Sequence, residues 1–68
     1  MGHNQSAAMQ ALSNLRRLLS DAERLGRGTI DLLEQAGSLV MLVRDAGLND
    51  LIPDAENLYN RAMKLRVL

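Results

Sequence analysis

Leu25-Gly26-Arg27-Gly28-Thr29-Ile30-Asp31 (LGRGTID) is the stretch on which the fold turns. Two glycines astride an arginine, just ahead of an apolar run, fit either a small phosphate cradle or the break between two helices. A phosphate loop needs a preceding strand, wider glycine spacing or the Lys-Ser/Thr of a P-loop. None of these is present. A helix break needs only what stands here. Gly26 follows a periodic leucine, where a residue with positive φ commonly closes a helix. Thr29 then sits where an N-cap belongs, and Asp31 falls in the first turn, near the positive end of the helix dipole. The stretch reads as stop, connection, start.

Upstream of it, Ala8, Leu12, Leu15, Leu19 and Ala22 recur at alternating steps of four and three. Ala11, Leu18 and Leu25 widen that seam, so a helix is expected over about 6–25, with residues 1–5 outside it and flexible. Arg17 with Asp21, and Glu23 with Arg27, have the i,i+4 spacing of intrahelical ion pairs. Downstream, a second helix is expected over 30–46, with Gly47 as its stop. Leu33, Ala36, Val40 and Val43 form its seam, and Leu32, Leu39 and Ala46 flank it. A third helix is expected over 50–66. Pro53 fits its first turn, where the missing N–H has no intrahelical acceptor to lose. Leu51, Ala55, Leu58, Ala62 and Leu65 repeat the four-three spacing, with Ile52 and Tyr59 beside them. Sustained period-two alternation is lacking, and Tyr59 is the only aromatic residue. The fold class is all-α: a three-helix bundle, or a helical hairpin plus a third helix, in one small domain spanning 1–68. Both connections are short, which favours antiparallel neighbours.

Size and composition bound the rest. A chain of 68 residues buries only about 60% of the surface that its unfolded form exposes. One core of that size rarely supplies more than roughly 3–5 kcal/mol, so small folds usually need a staple. There is no Cys for a disulfide, and the single His, His3, lies near the terminus, which leaves little for a structural zinc. Self-association is the staple left, so a homo-oligomer is expected. Eight basic and eight acidic side chains cancel, removing the simplest electrostatic case for nucleic acid or an anionic membrane. The uncharged run Gln35–Val43 falls far short of the about 20 residues that cross a bilayer. No secretory signal pattern opens the chain, and a cytoplasmic setting is expected.

Catalytic material is sparse. Ser13, Ser20 and Ser38 read as polar-face or cap residues, with neither Cys nor a nearby His to make a nucleophile. Asp31 with Glu34, and Asp50 with Asp54, have the spacing by which all-α nucleotide pyrophosphatases hold magnesium on successive helices. Such acids must converge on one cleft, whereas acids early in a helix are favourable in any case. No enzyme activity, cofactor or metal is expected. A helix-turn-helix reading of residues 43–58 fails at Pro53 and at Asp50, Asp54 and Glu56, which would face phosphates with the wrong sign.

Two binding surfaces remain. Gly37 costs about 1 kcal/mol against alanine inside a helix, and Met41 and Leu42 interrupt the polar side of the second helix. With Tyr59 and Met63 they outline an interface, since Met adapts to partners and Tyr is enriched at interface hot spots. A copy of the same chain is the expected partner, with another protein as a further one. The reading is a small non-enzymatic helical interaction module, an adaptor or inhibitor that self-associates. Phage and mobile-element accessory proteins include many chains of this size and composition. The alternative is a dimeric nucleic-acid-binding regulator that uses the arginine row Arg16, Arg17, Arg24 and Arg27.

Overall fold

In the computed structural model, which describes residues 2–66 with side chains from residue 5 onward, LGRGTID is the break between two helices. Helix α1 (Gly2–Leu25) ends where Gly26 turns to φ 76°. The Gly26 and Arg27 N–H groups donate back to the carbonyls of Glu23 and Ala22, satisfying acceptors that a helix end leaves open. Helix α2 (Ile30–Asp45) starts on Thr29, whose hydroxyl accepts from the Leu32 N–H at 3.1 Å. It stops at Gly47, with φ 69°. One 3-10 turn, Asn49–Leu51, leads into α3 (Ile52–Met63), with Pro53 in the first turn.

Two boundaries differ from the spacing. Helix α1 begins at Gly2 rather than near Ser6, since no proline among residues 2–5 blocks the extra turn. Helix α3 gives way at Lys64 rather than at residue 66. Beyond it the chain turns back, and the Gly28 N–H donates to the Arg66 carbonyl at 2.7 Å. Gly28 sits close to the returning chain: a Cβ on it would lie 3.2 Å from Leu65 Cβ, a tight contact.

The three helices pack on one another as a rod of 38 × 17 × 16 Å. Arg44, late in α2, pairs with Glu56, early in α3, so these two run antiparallel. Glu23 and Arg61, late in α1 and α3, also pair, so α1 and α3 run the same way. The core is Ala8, Leu12, Leu15 and Leu19 from α1, Leu32, Ala36, Leu39 and Val43 from α2, and Ala55, Leu58 and Ala62 from α3. Each fully buried leucine contributes roughly 1.5–3 kcal/mol relative to exposure.

The seam of α2 is rotated from its expected place. Leu32 and Leu39, expected as flanks, are buried, whereas Leu33 and Val40 are only half-buried. Helix α2 touches both neighbours, so its inward face is set by the bisector between them. Leu18 and Leu25, expected to widen the α1 seam, are 45% and 70% exposed. With α3 seated on one side of α1, the described residues leave Leu18 and Leu25 on the other largely open.

Candidate interaction surface

Two open grooves flank α2. The first lies between α1 and α2 and runs most of their shared length. Ala11, Leu18 and Leu25, at intervals of seven, line its α1 wall, and Leu42 lines its α2 wall. Leu15, Ala22, Leu32 and Leu39 form the floor. Asp31, Glu34, Gln35 and Ser38 make a polar rim on the α2 side. Arg27, past the end of α1, closes one end.

The second groove lies between α2 and α3, lined by Gly37, Val40, Met41, Arg44, Glu56, Tyr59 and Asn60. Here the Tyr59 ring covers Gly37: a Cβ on Gly37 would stand 3.6 Å from Tyr59 Cε1. Gly37 therefore faces a side chain of its own subunit. Met63 is one turn beyond Tyr59 on the same face of α3 and is 58% exposed.

The five residues expected to form one interface are thus divided. Gly37, Met41 and Tyr59 line the α2/α3 groove, with Met63 beside it, and Leu42 lines the α1/α2 groove. Met41 is 65% and Leu42 43% exposed, so the subunit's own side chains leave both open. Sequence reasoning missed Leu18 and Leu25 as surface residues. The signal was their interval of seven with Ala11, which marks a second edge of α1 as well as a broad seam.

The four arginines do not form one row. Arg17 and Arg24 share an outward face of α1 by their interval of seven. Arg24 is held by Asp21 at 2.5 Å, in place of the expected Arg17–Asp21 pair. Arg16 stands seven before Glu23, on the side where Glu23 meets α3. Arg27 lies beyond the helix, so the Glu23–Arg27 spacing has no helical geometry to act through. Glu23 accepts instead from Arg61, from Nε at 3.0 Å and Nη2 at 2.5 Å. That bond, chiefly, holds the Glu23 carboxyl below its usual range and raises Arg61.

The carboxylates do not converge. Asp31 opens α2, and Asp50 lies beyond its far end, beside Gln5 and Gly47. The 16 residues of α2 put about 24 Å between those ends at 1.5 Å per residue. Among the described residues, no three of His, Cys, Asp and Glu cluster as metal ligands. The His3 side chain lies outside the described ones. None of the described helices is long and apolar enough to cross a membrane. No protein-family model, curated protein or solved structure matches the chain.

Proposed function

We propose that the protein is a non-enzymatic helical interaction module that associates with itself and, as an adaptor or inhibitor, with another protein. Its setting is cytoplasmic, where a cysteine-free domain needs no oxidising environment. The observation that carries this reading is the joint exposure of Met41 and Leu42 on the central helix. Apolar side chains scattered singly over a surface are ordinary. Here Leu42 lines one hollow of the α1/α2 seam and Leu18 and Leu25 line the next, all three more than two-fifths exposed. Apolar side chains gathered along one seam in this way support a contact site. A domain this small also gains the staple it lacks when a partner covers such a groove.

The experiment is light scattering of the purified chain over a dilution series, at low and high salt. The expected result is a species heavier than one chain that persists in high salt and is lost in Leu42→Glu. A monomer at every concentration tested, with Leu42→Glu indistinguishable from it, overturns the self-associating reading.

A further inference from the structure

We propose that the end of the rod carrying the α1–α2 connection docks end-on onto an anionic bilayer surface, with apolar side chains entering the interface and cations meeting the headgroups. The proposal does not depend on self-association. Its first support is the layout of charge along the rod. The chain is neutral overall. Helices α1 and α3 finish at the same end, beside the start of α2. The half that contains these termini, residues 14–37 and 58–66, holds seven basic and four acidic side chains. The other half holds one basic side chain, Arg44, against Asp45, Asp50, Asp54 and Glu56. Charge segregated in this way turns the basic end toward a negative surface and the acidic end away from it.

The second support is where the cations gather. Arg24 lies in the last turn of α1, Arg27 in the connection, and Lys64 and Arg66 just past α3. The Gly28 N–H donates to the Arg66 carbonyl, which draws the connection and the end of the chain together although they are far apart in sequence. The carboxylates here are Asp21 and Glu23, held by Arg24 and Arg61, and Asp31 in the first turn of α2. Five cations against three carboxylates leave this end net positive.

The third support is apolar. Each helix leaves one apolar side chain open at the same end: Leu25 closes α1, Ile30 opens α2 and Met63 closes α3, all more than half exposed. At the opposite end, none of the large apolar side chains of residues 45–54 is exposed. Three tips on three separate helices suit a partner with no fixed shape of its own, and a bilayer interface takes apolar side chains beside cations. A nucleic acid would take the cations through its phosphates and leave the tips in water. No described helix is long and apolar enough to cross a membrane, so the contact is with its surface.

The test is co-sedimentation of the full chain with vesicles of phosphatidylcholine alone and of phosphatidylcholine mixed with phosphatidylserine. The expected result is binding to the mixed vesicles only, weakened by salt, because the attraction falls off within a Debye length. Arg27→Gln with Lys64→Gln should weaken it on the order of twentyfold, at about fivefold per cation. Arg16→Gln with Arg17→Gln removes the same charge about 12 Å or more from the end of α1 and should change it little. The chain has no Trp, so single reporters give the orientation. Emission from Leu25→Trp should move to shorter wavelength on the mixed vesicles, and emission from Asn49→Trp should not. Circular dichroism checks the helicity of each variant. Equal binding to both lipids, equal losses in the two charge variants, or a shift at Asn49→Trp matching that at Leu25→Trp overturns end-on docking. So does a chain that binds neither vesicle, including one whose basic end captures a polynucleotide instead. Self-association persists in salt and is read without lipid, so either proposal can fail alone.

Discussion

The two flanks of α2 are built differently. On the α3 side, Arg44 reaches Glu56 across the seam and the Tyr59 ring lies over Gly37. On the α1 side, no ion pair or side-chain hydrogen bond among the described residues links α1 to α2. Helix α3 is also tied to α1 through Arg61 and Glu23. Helix α3 thus acts as a clamp, tied to each partner by one ion pair between exposed side chains. The α1/α2 seam has its apolar floor but no such tie. Asp21 lines its α1 wall, and Asp31 and Glu34 its α2 wall, with none of them reaching across the seam. Both flanks carry an open groove, and what separates them is where the long polar side chains go.

The largest expected difference between the flanks comes from truncating one leucine on each. Leu58 is 2% exposed and Leu18 is 45% exposed. Leu58→Ala removes buried contacts and leaves a cavity, costing about 2–5 kcal/mol, which is comparable to the whole stability expected of a core this size. Urea denaturation should find the Leu58→Ala chain largely unfolded. Leu18→Ala should leave the unfolding free energy of the dilute chain within about 0.5 kcal/mol of wild type, as exposed substitutions do. Its effect should appear in self-association. A Leu18→Ala chain that unfolds as readily as Leu58→Ala would mean that the groove is part of the core.

A smaller effect, of opposite sign, is expected at Gly37. The position is helical, and a Cβ there meets only Tyr59 Cε1 at 3.6 Å, an ordinary contact distance. Gly37→Ala should therefore recover roughly 0.5–1 kcal/mol of helix propensity without displacing the ring. Urea denaturation again checks it. A loss of stability would show that the Tyr59 cover tolerates no added methyl, making the α2/α3 flank tighter than its geometry indicates.

How much of this was legible beforehand follows how local each cause is. Gly26, Thr29, Gly47 and Pro53 act through their own backbones and immediate neighbours, so the three helices and their breaks could be read directly. The inner face of α1 was legible at Ala8, Leu12, Leu15 and Leu19 because polar residues frame it. Helix α2 offered no such frame. Its apolar arc includes Leu32, Leu33, Val40 and Leu42 at once, and which of these turn inward depends on where the other two helices stand. Leu18 and Leu25 were misplaced for the same reason, since spacing alone cannot say on which side of α1 the third helix sits. The Glu23–Arg61 pair joins residues 38 apart, beyond the reach of any helical spacing rule.

That pair gives the smallest of the expected effects and the closest look at the clamp. Glu23 titrates below its usual range when folded, chiefly because Arg61 donates to it. A carboxylate with a lower pKa folded than unfolded binds fewer protons in the folded state. Its contribution is therefore complete above the unfolded value, about 4.3. It fades as pH falls through the lower, folded value. The melting temperature of the wild-type chain should accordingly drop on acidification below about pH 4.3, by an amount that salt reduces. Arg61→Gln removes the donor that sets the shift, so its melting temperature should be lower at neutral pH and should fall less steeply with acid. The two curves should converge at the acid end. Parallel curves would mean that the pair does not hold α1 to α3 in solution. The α1/α3 seam would then rest on its apolar contacts alone, as the α1/α2 seam does.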